Sequence, residues 1–223
     1  MTRLVLLLLI TLLAAPAAAL EVIIGLPYGK HRIGHTAVRV EGPAGPVIYD
    51  YGRYGEVWGP LRMQGEGVMR VWRGEAAVAR YLAKQQSYRD SVGYVIDTTP
   101  EEEQAIHRWY EDQLRAARWT KAYPQHTRHR LEEDYDGVLR QCTSIALAGL
   151  KAIWPRDRVE AMLPPRFNQG QGFTPAVHRY YFDTQRRHGI TEVVVPLDLI
   201  DAFEWSLTQP DTPVKRRVEY PRR

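Results

Sequence analysis

Several short stretches of the chain alternate between apolar and polar residues, which is the pattern of half-buried β-strands. Residues 35–40 show it most clearly, because their even-numbered and odd-numbered side chains would face opposite sides of a sheet. A turn rich in Gly and Pro at 41–46 separates this stretch from an apolar run at 47–51, so the two predict a β-hairpin. Further strands are predicted at 21–26, 68–72, 93–97 and 191–195.

Other stretches carry helical signals. The clearest is Thr-Pro-Glu-Glu at 99–102, in which the threonine caps a helix, the proline takes the first helical position and the last glutamate completes a capping box. We expect this helix to reach about Trp119. Another helix is predicted from Cys142 to just before Pro155, and it should be largely buried because Lys151 is its only charged residue. The remaining predicted helices are 75–88 and 176–187.

Helices mixed with hairpin strands favour an α+β domain over a parallel α/β sheet. Beyond the first 19 residues the chain has about 200, enough for one domain with a full core, and we place that domain at 20–209. The polar segments at 123–135 and 168–172 are predicted to be loops, the first of them exposed. Residues 210–223 are predicted to form a basic, flexible tail.

Residues 1–19 have the features of a secretory signal peptide. Arg3 supplies the positive charge, residues 4–13 the apolar segment, and the alanines at 17–19 a cleavage site of small residues. We therefore expect a mature protein that starts near Leu20 and works in the periplasm or outside the cell. An uncleaved N-terminal anchor is the alternative.

The composition is that of a globular protein, with 44% hydrophobic and 25% charged residues. The net charge of +4 is compatible with peripheral contact to an anionic cell-wall or membrane surface. Because the basic residues are scattered along the chain and form no stripe, we do not expect a nucleic-acid partner.

Cys142 is the only cysteine, so it cannot form a disulfide within the chain. At the start of a helix, a thiol has the helix dipole and unpaired N–H groups beside it, and both lower its pKa and favour the nucleophilic thiolate. A free cysteine is also commonly a small buried apolar residue, and the thiol alone does not separate these two interpretations.

A cysteine nucleophile needs a base, and histidine titrates in the right pH range. Of the seven histidines, His35 is the best candidate because it begins a predicted strand and would stand at the rim of a sheet. The alternative is a strand histidine without a role. His126 and His129 lie among charged residues of the polar segment, so we interpret them as solvated residues and predict neither a metal site nor a cofactor.

Three segments are informative because of their order along the chain: Gly-His-Thr-Ala-Val-Arg-Val at 34–40, Ile-Tyr-Asp-Tyr-Gly at 48–52 and Cys-Thr-Ser-Ile-Ala-Leu at 142–147. This order resembles the circularly permuted papain-like cysteine hydrolases, relatives of the NlpC cell-wall endopeptidases and of lecithin–retinol acyltransferase. In that family a strand histidine comes first, a polar residue follows on the next strand, and a cysteine opens a late helix. The resemblance implies a small antiparallel sheet packed against a central helix that carries the cysteine.

By position, the resemblance implies Cys142 as the nucleophile, His35 as the general base and Asp50 as the residue that orients the imidazole. If the hairpin pairs residues whose numbers sum to 85, Asp50 lies opposite His35. A sum of 86 puts Tyr51 there instead, as orienter or substrate contact. Asp50 is the stronger acceptor, and we favour it. The backbone N–H of Cys142 and the side chain of Gln141 are predicted oxyanion donors.

These roles predict an exported hydrolase in which a thiolate attacks an amide or ester carbonyl and forms a thioacyl intermediate. Peptides of the peptidoglycan are the substrate class that the resemblance favours. A lipid or another acyl ester is the alternative substrate, and a non-catalytic envelope-binding module with a buried remnant cysteine is the alternative function. Fast alkylation near neutral pH would distinguish an active-site thiol from a buried one.

Overall fold

The computed structural model describes residues 19–29, 32–59, 62–164, 170–180 and 195–223. The predicted signal peptide lies outside this part of the chain except for Ala19. The end of the helix predicted at 176–187 and nearly all of the strand predicted at 191–195 also lie outside it.

One antiparallel sheet runs through the described part of the chain. Its nine strands there are β1 (Ala19–Gly25), β2 (His35–Gly42), β3 (Gly45–Trp58), β4 (Gln64–Arg73), β5 (Ser91–Asp97), β6 (Trp119–Ala122), β7 (Thr127–Arg130), β8 (Tyr135–Asp136) and β9 (Val214–Tyr220). Their order is β6-β7-β4-β3-β2-β1-β5-β9, and β8 pairs with β4. The prediction of a small sheet is therefore wrong in size.

Five helices pack with this sheet among the described residues: α1 (Glu75–Gln86), α2 (Pro100–Arg115), α3 (Cys142–Ile153), α4 (Arg156–Glu160) and α5 (Pro196–Leu207). Residues 175–180 are also helical. The mixed α+β class is confirmed. The capping box at the start of α2 is confirmed as well, since Glu102 N–H donates to Thr99 Oγ1 at 3.2 Å and Thr99 N–H to Glu102 Oε2 at 2.9 Å. Of the helices described, none has the length and apolar character needed to cross a membrane.

The two faces of the sheet bury separate cores. On one face α2, α3 and α5 cover a large cluster that includes Val38, Tyr49 and Leu150, all at most 2% exposed. On the other face α1 covers a smaller cluster around Ile48 and Trp72. Because successive strand residues point to opposite faces, β2 and β3 contribute to both cores.

Two segments that the sequence predicts as irregular form strands. Residues 127–130, inside the predicted exposed loop at 123–135, form β7, which pairs with β6 and β4. Residues 214–220, inside the predicted flexible tail, form β9, which pairs with β5 and buries Val214 to 1% exposure. Both are near the edges of the sheet, where many side chains face solvent, so their polar sequences resemble those of loops.

Candidate active site

His35 is the first residue of β2 and stands where the strand begins at the rim of the sheet. Gly34, directly before it, has a φ of +82°, which disfavours any residue with a side chain. A Cβ at Gly34 would also lie 2.6 Å from the carbonyl oxygen of Gly25 in β1. Glycine therefore lets the chain turn tightly against β1 before it presents His35, whose side chain is 15% exposed.

Cys142 is the first residue of α3, and it is a free, buried cysteine. The start of this helix is held by its own residues, since Gln141 Oε1 accepts the N–H of Thr143 at 3.1 Å and Ser144 Oγ accepts the N–H of Gln141 at 2.8 Å. The same turn is tied to β2 by a 3.0 Å hydrogen bond between the hydroxyls of Thr36 and Thr143. These bonds bring the beginning of α3 to the beginning of β2.

The Cys142 thiol and the His35 ring are close enough for each to shift the pKa of the other. Burial alone would raise the pKa of Cys142, but the positive charge of His35 and the backbone N–H of Thr36 bring that pKa below the ordinary value. Burial alone would lower the pKa of His35, but the charges of Asp50 and Cys142 raise it to about 9. Both shifts are in the direction that favours a thiolate beside an imidazolium.

Asp50 holds the other side of the imidazole. Its Oδ1 lies 2.5 Å from His35 Nε2, which leaves Nδ1 of the ring for the thiol. The carboxylate is fully buried, and its Oδ2 accepts from Arg70 Nε at 3.1 Å and from a terminal guanidinium nitrogen of the same arginine. Burial alone would raise the pKa of Asp50, but the charges of Arg70 and His35 hold it far below the ordinary range. Asp50 is therefore ionised whenever His35 is charged.

Tyr54 completes this hydrogen-bonded network. Its hydroxyl donates to Asp50 Oδ1 at 2.7 Å, lies 3.1 Å from His35 Nε2, and accepts from Arg70 Nη2 at 2.8 Å. A Cβ at Gly52 would lie 2.8 Å from the Tyr54 ring, so the missing side chain at Gly52 makes room for the tyrosine to fold back over its own strand. Tyr54 and Arg70 together fix the carboxylate that faces the histidine.

The register of the β2–β3 hairpin differs from both registers considered from the sequence. Val38 pairs with Tyr49, so paired residue numbers sum to 87, and the same register continued along β2 would put Gly52 opposite His35. Asp50 is displaced by two residues from that position and therefore shares the face of His35. The favoured alignment was wrong by two residues. A shift of two leaves Asp50 on the predicted face of β3, from which it reaches the His35 ring on the neighbouring strand diagonally and not from the directly opposite position.

Tyr51 and Gln141 have contacts other than those predicted. Tyr51 points to the opposite face of β3, where its ring stacks on Tyr135 at 5.7 Å, and it is not among the residues that line the cleft. Gln141 lines the cleft, but its Oε1 accepts the Thr143 N–H and the Cys142 thiol at 3.5 Å. The side-chain oxygen of Gln141 thus stabilises the start of α3, and the oxyanion role of Gln141 stays a prediction.

Arg70 and Tyr54 are the members of the network that sequence reasoning missed. Arg70 is the one charged residue in the otherwise apolar run at 68–72, and a charge in such a strand is a signal of a buried partner. Tyr54 is on the same face of β3 as Asp50 and Gly52, because the three are two residues apart. The predicted strand ended at residue 51, however, so its pattern did not include Tyr54.

An open cleft of about 650 Å³ lies over the Cys142–His35 pair. Its apolar lining comes from Ile33, Met63, Phe173, Val177, Val195 and Pro196. Its cationic residues are Arg32, Arg53, Arg70, Lys84 and Arg89, and aromatic lining comes from Tyr28, Tyr54, Tyr88 and Tyr135. No Asp or Glu occurs among the described residues that line it. The cleft is therefore polar and positively charged on part of its surface and apolar on the rest.

The described part of the loop predicted at 168–172 is fixed next to this cleft. The buried carboxylate of Asp198 in α5 accepts the backbone N–H groups of Gly170 at 2.9 Å and Gln171 at 3.3 Å. This anchor positions Gly172 and Phe173, which both line the cleft.

Comparison of this chain with protein-family models, with curated proteins and with solved structures finds no match. The geometry and electrostatics of the site therefore carry the functional conclusion. A buried thiol whose pKa is lowered by a charged histidine, a fixed carboxylate behind the imidazole and an open cleft lined by Cys142 are together suited to nucleophilic attack on a carbonyl.

Proposed function

We propose that this protein is an exported cysteine hydrolase that cleaves an amide bond in cell-wall peptides, on a fold of the permuted papain-like type. The observation that carries this proposal is the Cys142–His35–Asp50 arrangement, in which the ring is bonded to the carboxylate at 2.5 Å and the charge of the ring lowers the pKa of the thiol. A free cysteine that served only as a small apolar residue would not need a charged histidine, a buried carboxylate and an arginine behind it.

In the first half of the reaction, the Cys142 thiolate attacks the carbonyl carbon of the substrate amide. The backbone N–H of Cys142, at the first position of α3, is placed to stabilise the oxyanion, because the first N–H groups of a helix lack partners within the helix. The imidazolium of His35 gives its proton to the leaving nitrogen as the carbon–nitrogen bond breaks. A thioester of Cys142 and a free amine result.

In the second half, water attacks the thioester and His35 takes its proton. The carbon–sulfur bond breaks, the carboxylic acid leaves, and the thiolate and the imidazolium are restored. Asp50 stays ionised throughout and keeps Nδ1 of His35 directed at the sulfur, because the bond from Nε2 to the carboxylate fixes the ring.

A lipid or another acyl ester is the second candidate substrate, because one part of the cleft is apolar. The peptide is favoured because the cleft is open and also carries cationic and aromatic residues, whereas an acyl chain needs a deep apolar tunnel beside the nucleophile.

The proposal is tested by incubating the purified protein with cell-wall fragments and, separately, with phospholipid vesicles, and analysing the products by mass spectrometry. We expect new amine and carboxyl ends in wall peptides. Cys142→Ala and His35→Ala should lose about 10³-fold or more of this activity while keeping the fold, since nucleophile and base act as a unit. His129→Ala, in β7 and away from the cleft, is the matched control and should stay active.

Full activity in Cys142→Ala would refute the proposed nucleophile. Released fatty acid with intact wall peptides would favour the lipid alternative. If neither substrate is cleaved and Cys142 alkylates no faster than a free thiol, the chain is better explained as a non-catalytic envelope-binding module.

A further inference from the structure

The charged residues at the centre of the site cancel one another. Asp50 is paired with both His35 and Arg70, and a Cys142 thiolate supplies the second negative charge when it forms. Four other cations line the same cleft, and we call them the cationic group: Arg32, Arg53, Lys84 and Arg89. Within the described part of the chain, none of the four forms an ion pair with a carboxylate. Counted over the described residues that line it, the cleft therefore has an excess of positive charge.

Arg89 is the member of the cationic group that most requires an explanation, because it is only 7% exposed. Its Nε donates to Gln85 Oε1 at 2.8 Å, and a terminal nitrogen donates to the same oxygen. The guanidinium carbon lies 5.6 Å from the Tyr28 ring centroid and 5.3 Å from the Tyr88 ring centroid. Buried cations are ordinarily paired with an anion, whereas the partners of Arg89 among the described residues are neutral.

Lys84, in the last turn of α1, lines the same cleft as Arg89. Burial and then the positive charges of Arg70 and Arg128 lower the pKa of Lys84. The Tyr88 ring, 5.3 Å from the Arg89 guanidinium carbon, lines this cleft too. Arg89 and Lys84 therefore share one cleft with His35.

We propose that Arg89 and Lys84 form an anion subsite that binds a carboxylate of the substrate, so that the enzyme cleaves peptide amides next to an acidic residue. This inference rests on the proposed function for the reaction itself. The Arg89 guanidinium, fixed by Gln85 and lying beside the rings of Tyr28 and Tyr88, keeps its N–H groups in one plane, which suits a carboxylate. The polar tyrosines around it favour a peptide over the acyl chains of a lipid.

Alkylation of Cys142 tests the subsite without any substrate, and it labels one position because the chain has a single cysteine. In the reaction the thiolate forms a carbon–sulfur bond and iodide leaves. Iodoacetate carries a carboxylate, whereas iodoacetamide is neutral and almost the same size. We expect the iodoacetate-to-iodoacetamide rate ratio at low ionic strength to exceed that of glutathione by about tenfold. High salt should remove most of the excess.

Variants assign the effect to the subsite. Lys84→Gln and Arg89→Gln should each lower the rate ratio while the iodoacetamide rate stays within about twofold, and Arg89→Lys should keep most of the ratio. Arg108→Gln is the matched control, because Arg108 is an exposed cation of α2 that does not line the cleft. Lys84 is exposed, so Lys84→Gln should fold even if the buried position 89 does not tolerate Gln.

A second measurement uses Cys142→Ala and calorimetric titration with acetyl-Ala-Glu-Ala amide and its glutamine counterpart. Tighter binding of the glutamate peptide supports the subsite. A rate ratio equal to that of glutathione, with fast reaction of iodoacetamide, would overturn the subsite and leave the nucleophile standing. Slow reaction of both reagents would instead overturn the proposed function. Binding to phosphatidylglycerol vesicles with no preference for the glutamate peptide would overturn the choice of a peptide carboxylate.

Discussion

Among single residues, the pKa of Cys142 depends on a charged neighbour, His35, whose own charge depends on Asp50 behind it. The thiolate is stabilised by the His35 imidazolium, and the imidazolium is stabilised by Asp50. Arg70 keeps Asp50 ionised although it is fully buried. Asp50 therefore lies between two positive groups, and the loss of the Cys142 proton would bring the site to little net charge.

The pH dependence of hydrolysis follows from these shifts. The active pair forms when Cys142 loses its proton, below the ordinary thiol pKa of 9.0, and it is lost when His35 deprotonates at about 9. Activity should therefore rise with pH at lower pH than the ordinary thiol pKa would allow, and fall as His35 deprotonates near pH 9. In Asp50→Asn the charge that raises the pKa of His35 is gone, so the alkaline limb should move to lower pH and alkylation by iodoacetamide at neutral pH should slow by about tenfold or more.

Rate measurements across the pH range on the wild type and on Asp50→Asn check this prediction. A thiol that alkylates only above the ordinary thiol pKa in the wild type would contradict it, because the imidazolium would then have no effect on the sulfur.

At the scale of secondary-structure elements, the site depends on the pairing of β3 with β4. Asp50 and Arg70 are direct partners in that register, so the ladder that builds the sheet also places the arginine on the carboxylate. The side chains of the pair are 0% and 11% exposed. Removing one partner of a buried ion pair leaves an uncompensated charge, which destabilises a protein more than replacing both.

We therefore expect Arg70→Met to lower the free energy of unfolding by about 3–5 kcal/mol. The double variant Arg70→Met with Asp50→Asn should recover about half of that loss or more, because no buried charge remains without a partner on the strands. Urea unfolding measures both. Arg73→Met is the matched control on the same strand, since the Arg73–Glu111 pair is 45% and 27% exposed and should contribute about 1 kcal/mol or less. Equal losses in Arg70→Met and Arg73→Met would contradict the prediction.

At the scale of the whole molecule, β9 joins the end of the chain to the strands that carry the site. It pairs along β5, and β5 pairs with β1, the neighbour of β2. The Tyr220 hydroxyl donates to Glu21 Oε1 in β1 at 2.6 Å, and the backbone N–H of Arg222 donates to Asp90 Oδ1 at 2.7 Å. The basic C-terminal segment is therefore part of the folded domain.

Deletion of residues 214–223 should destabilise the protein, because β5 would lose its outer partner and Val214 its buried position. Burial of a Val side chain contributes about 1.5–3 kcal/mol, so the melting temperature should fall by about 5 °C or more, and light scattering should detect association through the new edge. Deletion of residues 221–223 alone, which spares β9, should have a smaller effect. A melting temperature unchanged by the longer deletion would mean that residues 214–223 do not stabilise the domain.

The positions of Cys142 and His35 in the fold were predictable from the sequence, and those of the residues that support them were not. Cys142 and His35 carry local signals, a polar helix start and a strand end after Gly34, and both lie where such signals place them. The face of Asp50 follows from the period of two along a strand. Its partner Arg70 is 20 residues away and reaches it only through the β3–β4 register, which no local pattern specifies.

The α+β class, the capped start of α2 at Thr99 and Pro100, and the element types around the site could be predicted from the sequence, because capping and alternation depend on neighbouring residues. The β2–β3 alignment, the strands made from polar segments at 127–130 and 214–220, and the cations that meet at one cleft became apparent only in the folded chain. These features arise from contacts between residues far apart in the chain. Such contacts depend on which edges and faces meet, and the pattern along a single segment does not specify that.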